Sequence, residues 1–355
     1  MRNIHYDSNE KSSSPRQVLL CGAKYGQVYL PAIYQKKGLE LAGILARGSD
    51  QSIRLAEQYG VPFYTSIEQV DEPIDIACVA INETAGTPIA RQLLHKGIAT
   101  LIEHPVSGAH IQQLIAAAES ADTRVHINSH FAELPPVAEF IRLAQKLNQS
   151  QAPIIINICC NSRTLFSTID ILMRCFGLIH VEELSVSALN DYRSCTMRLH
   201  SETIKNVSCT LAYQQWRYEE DSSLDSPLGH QITLTYPQGV LQLGGSFGPC
   251  MWFPLLAAGV PPEIPVCQAT AASRGIPPTL QTVIEWRKYA NQKVLTQLCL
   301  PAIEQPIHCS STYMRHLCDL WSRLFAQLGT ITIAEPLHLP KRYWTPEMIL
   351  EQDQT

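Results

Sequence analysis

The chain has 355 residues, 45% hydrophobic and 17% charged, with 27 Lys and Arg against 32 Asp and Glu and a formal net charge of -5. At roughly 150 residues per domain this length predicts two domains, and the composition excludes a disordered chain. No basic stripe offers counterion release from phosphate backbones, so no nucleic-acid partner is expected.

Residues 1–16 are polar (His5, Asp7, Glu10, Lys11 and Ser12 to Ser14) and lack the apolar segment of a signal peptide, so they read as a disordered leader. No apolar run approaches the roughly 20 residues of a membrane span, and no membrane partner is expected. The 12 cysteines lie mostly inside apolar segments, such as Cys78 in IACVAI and Cys209 in VSCTLAY. Without a CxxC pair or zinc spacing they read as reduced core residues of a cytoplasmic protein, and no metal is expected.

From Gln17 short apolar runs alternate with helical patterns. Strands are expected at Gln17 to Cys21, Leu39 to Ala46, Pro62 to Tyr64, Ile74 to Ile81, Ala99 to Glu103 and Arg124 to Asn128. Helices are expected at Gln27 to Lys36, Ser52 to Tyr59, Thr87 to His95 and His110 to Ala121. This alternation predicts βαβ units and a parallel sheet with ligands beyond the carboxyl ends of its strands. Residues 17–134 are read as a Rossmann dinucleotide-binding domain.

The first strand runs into Gly22, Ala23, Lys24, Tyr25 and Gly26, the strand-turn-helix context of a dinucleotide fingerprint. Gly22 permits the tight turn and Gly26 a close backbone approach, while Lys24 replaces the middle glycine. After the second strand an NAD-preferring fold usually carries a carboxylate for the ribose hydroxyls. Here stand Arg47, Gly48 and Ser49, where Arg47 can pair with a 2′-phosphate and Ser49 can donate to it. NADP(H) is therefore the expected cofactor.

Beyond Asn128 the pattern predicts a helix at Val137 to Leu147 and another at Thr164 to Cys175. Strands are expected at Ile154 to Asn161, Glu182 to Leu189, Cys195 to Leu199, Asn206 to Gln214, Gln231 to Tyr236 and Val240 to Gly244. These short-turn connections predict an α+β domain, residues 135–355, with a mostly antiparallel open sheet; its final segment is a candidate to pack back on the first domain. The fold class is thus α/β, a Rossmann domain followed by this α+β domain. Residues 219–229 (EEDSSLDSPLG) read as an exposed acidic loop and a candidate gate.

Four segments carry a resemblance: GAKYG at 22–26, EHP at 103–105, STIDILMRCFG at 167–177 and GPCMWFP at 248–254. Through them the chain resembles the Gfo/Idh/MocA oxidoreductases over nearly its full length, and more narrowly the thiazolinyl imine reductases of siderophore biosynthesis. Sugar-oxidising members of the broad family carry Glu-Lys-Pro and a histidine three residues before an aspartate. This chain has Glu103, His104 and Pro105, and Ser167 three residues before Asp170, so hydroxyl oxidation lacks its usual base.

The resemblance implies NADPH-dependent reduction of a thiazoline C=N bond to a thiazolidine, as in pyochelin-like or yersiniabactin-like siderophores. The substrate would be held on a nonribosomal peptide synthetase carrier domain. His104 suits the proton donor to nitrogen, with an ordinary pKa of about 6.5. The family's second acid, a tyrosine, falls on Phe131, which cannot donate, and the adjacent His130 is a candidate replacement. The resemblance also implies a cis Pro105, a cofactor contact at Glu103 and a homodimer through the open sheet. Phe166, Asp170, Trp252 and Phe253 are candidates to line the substrate cleft. Two other readings stay open: a reductase of another imine or carbonyl, and a catalytically silent NADP-binding regulator.

Overall fold

The computed structural model of the chain describes residues 14–189, 192–218, 228–257, 259–275, 277–329, 331–334 and 348. Most of the expected leader and residues 219–227 of the expected acidic loop lie outside them.

Strands β1 (Arg16–Cys21), β2 (Leu39–Leu45), β3 (Phe63–Tyr64), β4 (Ile76–Val79), β5 (Ala99–Ile102) and β6 (Val125–Ile127) form one sheet in the order β3-β2-β1-β4-β5-β6, parallel throughout. The direction of winding reverses between β1 and β4, which opens a crevice beyond their carboxyl ends. Because side chains alternate across a strand, Leu19 and Cys21 enter one core with α3 (Glu83–His95) and α4 (Gly108–Ser120). Val18 and Leu20 enter the other, with α1 (Leu30–Tyr34) and α2 (Asp50–Tyr59).

The helix expected over 27–36 is interrupted. A 3-10 turn, Gly26–Tyr29, precedes α1, which has five residues. Pro31 has no N–H to return to the carbonyl of residue 27, so a continuous helix cannot form there.

The second half opens with α5 (Pro135–Asn148). Strand β7 (Ile155–Asn161) and α6 (Leu165–Phe176) follow, then β8 (His180–Leu189), β9 (Tyr192–His200), β10 (Val207–Gln214), β11 (Trp216–Tyr218), β12 (Gln231–Tyr236), β13 (Gly239–Leu243), β14 (Cys250–Pro254) and β15 (Gln268–Ala269). Eight of these strands form a sheet in the order β15-β14-β13-β12-β7-β10-β9-β8, antiparallel except for the β7–β10 pair. One face, with Ile156, Ile158, Leu211, Met197, Leu234 and Leu241, is buried in a common core with α5, α6 and α8 (Ser311–Leu328). The opposite face carries Asn157, Thr196, Thr210 and Thr233. Strand β16 (Thr332–Ala334) pairs with β11.

Helix α7 (Leu280–Cys299) crosses back to the first sheet. Its Val294, Leu295 and Leu298 are buried with Leu20, Leu30 and Ile44. Its polar residues tie down the same contact: Lys36 Nζ reaches Thr296 Oγ1 at 2.6 Å, and Gln292 donates to the Ala32 carbonyl at 3.3 Å. The first domain is therefore closed by residues about 160 positions beyond its last strand.

Candidate active site

At the end of β1 the chain turns through Gly22, whose φ of +96° is open chiefly to glycine. A side chain there would collide with the Ala80 carbonyl oxygen, 2.6 Å from an added Cβ. At Gly26 an added Cβ would lie 2.9 Å from Leu20. Ala23 is buried, while Lys24 and Tyr25 are exposed. The 3-10 turn that follows opens with no side-chain cap, so its first N–H groups are available to an anion. These features fit the pyrophosphate of a dinucleotide.

Arg47, Gly48 and Ser49 follow β2 on the same edge, with Arg47 and Ser49 exposed. Ser49 is also the N-cap of α2, accepting from the Ser52 N–H at 3.3 Å. Its hydroxyl is therefore shared between capping and any ligand.

The end of β5 delivers Glu103, His104 and Pro105, and the His104–Pro105 peptide is cis. His104 Nδ1 lies 2.7 Å from the Asn128 carbonyl oxygen and 3.1 Å from Glu103 Oε1. A carbonyl can only accept, so Nδ1 carries a proton and Nε2 is the nitrogen left for a ligand. Burial alone would push the His104 pKa down. The bond and charge of Glu103, helped by the Asn128 carbonyl, outweigh it and hold the value above the ordinary 6.5.

Glu103 is itself held. Burial opposes its charge, but the contact with His104 and the Tyr29 hydroxyl, 2.5 Å from Oε2, keep its pKa below the usual carboxylate range. Asn128 Nδ2 donates to Tyr29 Oη at 2.6 Å, to Glu103 Oε2 at 3.1 Å and to Asn291 Oδ1 of α7 at 3.2 Å. Asn128 thus fixes the imidazole through its backbone and the carboxylate through its side chain.

Aromatic rings enclose this pair. Phe166, at the start of α6, stacks on His104 with centroids 5.5 Å apart, and Trp321 of α8 meets Phe166 edge-on at 5.9 Å. His130 and Phe131 each lie 6.0 Å from the His104 ring. Burial drives the His130 pKa down to about 3, so at neutral pH His130 is uncharged. Phe131 also contacts His230 at 4.7 Å. His230 is fully buried, with Nε2 2.6 Å from Ser167 Oγ and Nδ1 2.7 Å from Ser246 Oγ.

Phe166 thus lies against His104, whereas Asp170 has a different place. Its carboxylate, 1% exposed, accepts from Arg174 Nε at 3.0 Å and from the Tyr313 hydroxyl at 2.8 Å. Arg174 continues to Glu133 at 2.6 Å, which also pairs with Lys293 at 2.5 Å. Asp170 therefore belongs to a buried ion network behind α6, because an arginine one turn along the helix claims it. Trp252 packs over Gly239 on the helix-covered side of β13–β14.

Tyr29, Asn128 and His230 were missed by the sequence reading. Asn128 had a signal, a polar residue at the carboxyl end of a parallel strand. Tyr29 and His230 had none, since both act through contacts more than 60 residues away in sequence. Among the described residues, Glu103, His104 and His130 alone bring three metal-ligating atoms within 4.8 Å of one another. Within it, the protonated form of His104 offsets the charge of Glu103 at 3.1 Å.

A parallel Rossmann sheet with a glycine turn after its first strand and a buried glutamate–histidine pair after its fifth is the arrangement of a dinucleotide-dependent oxidoreductase. Residues 16–129 match the family model described as oxidoreductase family, NAD-binding Rossmann fold (GFO_IDH_MocA). Residues 151–253 match the C-terminal domain of thiazolinyl imine reductase Irp3-like proteins. The first domain is thus of the Gfo/Idh/MocA oxidoreductase family, and the second is Irp3-like.

Solved structures share the fold across both domains. An oxidoreductase from Agrobacterium radiobacter in complex with NAD+, L-tartaric acid and magnesium is 13% identical, with a TM-score of 0.65 over 87% of this chain and 95% of that one. A dehydrogenase from Chromobacterium violaceum is 13% identical, at 0.67 over 88% and 94%. GenD2 from gentamicin A biosynthesis, in complex with NAD, is 14% identical, at 0.64 over 88% and 94%. Among curated proteins none matches the chain. No helix of the described residues is long and apolar enough to cross a membrane.

Proposed function

We propose that the protein is an NADPH-dependent imine reductase that converts a thiazoline C=N bond to a thiazolidine on a carrier-domain thioester, in the manner of siderophore assembly. The observation that carries this reading is His104: an imidazole whose protonated form the neighbouring Glu103 favours, offering Nε2 within a wall of Phe166, Phe131 and His130. The match of the second domain to Irp3-like proteins supports the same substrate class.

When bound, the cofactor supplies a hydride to the imine carbon. The chain's own residues supply the rest. His104 donates the proton that the nitrogen acquires, and Glu103 and the Asn128 carbonyl hold the ring for that transfer. The aromatic wall excludes water and takes the flat heterocycle. His130, uncharged, serves as wall rather than acid. No lysine follows Glu103, so deprotonation of a substrate hydroxyl has no strong base.

The exposed Arg47, at the end of β2 where an NAD-preferring turn carries its carboxylate, supports NADPH over NADH, with Asp50 following as the first residue of α2. A carrier domain as partner and a homodimer through the uncovered sheet face complete the proposal. Sedimentation at micromolar concentration tests the latter.

The deciding assay incubates the purified chain with NADPH and a synthetic thiazoline thioester mimic, following cofactor absorbance and product mass, with NADH as control. A product two mass units heavier, formed at the expense of NADPH, is expected. Tight NADPH binding without turnover would overturn the reading in favour of another substrate or a silent regulator.

A further inference from the structure

Helix α7 turns one stripe of side chains inward, and Val283, Ala290, Asn291 and Val294 are buried along it. Arg287 falls on that stripe, one turn beyond Val283 and one turn before Asn291. Asn291 accepts from Asn128 Nδ2 at 3.2 Å, in the network that holds Glu103 and His104. The arginine therefore stands at the edge of the same site. From the second sheet Phe247, in the turn between β13 and β14, lies under its guanidinium, with Cζ 5.3 Å from the ring centroid. The neighbouring Ser246 bonds to His230 at 2.7 Å, and His230 contacts Phe131, so the turn that carries Phe247 is anchored to the aromatic wall.

We propose that Arg287 holds the acyl oxygen of the substrate, and so selects cyclic imines that carry a carboxyl-derived group beside the ring nitrogen; this rests on the imine-reductase reading. A thiazoline made from a cysteine bears its acyl group on the carbon bonded to that nitrogen, so the atom that His104 protonates and the oxygen to be held are close neighbours. A guanidinium offers a fork of donors to such an oxygen, two to a carboxylate or one to a thioester carbonyl.

The charge of Arg287 reaches both flanks of the cleft. Burial is the main cause of the low His130 pKa, and Arg287 is among the charges that add to it. Burial and Glu103 push the Tyr25 hydroxyl in the glycine turn up, and Arg287 opposes them. Its own half-buried setting leaves less water to compete for the bond. The Phe247 ring fixes the guanidinium plane, which lowers the entropy lost on binding. The cofactor pyrophosphate has its own cradle in the Gly22 turn, so it is the substrate side that this cation serves.

Calorimetry on the full chain loaded with NADP+ tests the contact apart from turnover. The probes are an aryl thiazoline carboxylate and the same ring without its carboxylate. The parent should bind the carboxylate-bearing ring more tightly, and Arg287→Gln should cut that preference at least about tenfold. Arg287→Lys keeps the charge but not the fork; it should restore part of the preference, and it serves as the second variant should the glutamine chain fold poorly. NADPH affinity, read by fluorescence, should change less than about twofold in either variant, because the glycine turn holds the pyrophosphate. A parent without preference, a preference that survives Arg287→Gln, or a loss of NADPH affinity as large as the loss of ring affinity would overturn the assignment. Binding that depends on Arg287 in a chain that forms no thiazolidine with NADPH would uphold the contact and remove the reductase reading instead.

Discussion

Ser167 Oγ lies 2.6 Å from His230 Nε2, although the two residues are 63 positions apart. Ser167 stands where hydroxyl-oxidising relatives place a catalytic histidine, and here an imidazole from the start of β12 reaches the same spot from the other side. Both of its nitrogens are taken by serine hydroxyls, and burial drives its pKa down to about 3. It fills the position as a neutral brace for Phe131, not as a base.

His104 is the residue on which turnover should depend. His104→Ala is expected to lower kcat at least about tenfold, the usual scale for loss of a general acid, while His130→Ala changes it little. Steady-state kinetics with saturating NADPH checks this; equal losses would assign the acid to both histidines.

The pH profile follows from the Glu103 contact. The folded-state pKa of His104 is raised, so the protonated donor persists above pH 6.5 and is lost as pH rises through the shifted value. The kcat/KM profile should fall on that alkaline limb. In Glu103→Gln only the Asn128 carbonyl and the Asp170 charge still oppose burial, and the limb should move to lower pH. NMR titration of the His104 ring provides the same reading without turnover.

Cofactor choice should rest on the β2 turn. Arg47→Asp places a carboxylate beside the 2′ position and is expected to raise KM for NADPH about tenfold or more with little change for NADH. Parallel titrations of the two cofactors distinguish this from general damage.

The buried network of Glu133, Arg174, Asp170 and Lys293 should show in stability. Removing one partner of a buried pair commonly costs about 3–5 kcal/mol, so Glu133→Ala should lower the denaturation midpoint clearly. Burial works against the Glu133 charge, but Arg174 and Lys293 pull its pKa down to about 2. Its contribution is present above the unfolded value near 4.3 and is lost as pH falls toward 2. Acid denaturation of Glu133→Gln should therefore be shallower across that window.

Gly22→Ala tests the nucleotide turn. With φ at +96° and an added Cβ 2.6 Å from a carbonyl oxygen, the substitution should cost more than about 1 kcal/mol and abolish cofactor binding together. Fluorescence titration with NADPH and thermal unfolding report the two effects separately.

The parallel sheet was legible because its strands are apolar on both faces: Val18 to Cys21 and Ile76 to Val79 cannot be read otherwise. His104 and the glycine turn were legible because the chemistry sits at strand ends. Helix α8 was missed although it had a signal, with Met314, Leu317, Cys318, Trp321 and Leu324 at helical spacing. Helix α7 had little, since it buries Asn291 and Gln297 alongside Val294 and Leu298 and shows no clean apolar stripe. Asp170 was misplaced for a related reason: one-dimensional spacing aligned it with a cleft residue, and only the packed helices reveal Arg174 and Tyr313 as its partners.

The return of α7 onto the first sheet also bears on synthesis. A ribosome releases β1 to β6 well before Val294, Leu295 and Leu298 leave the exit tunnel, so the emerging nucleotide-binding half waits with one flank of its core bare. Its final consolidation waits until α7 has emerged, and a nascent chain stalled near residue 200 should be far more protease-sensitive than the finished protein.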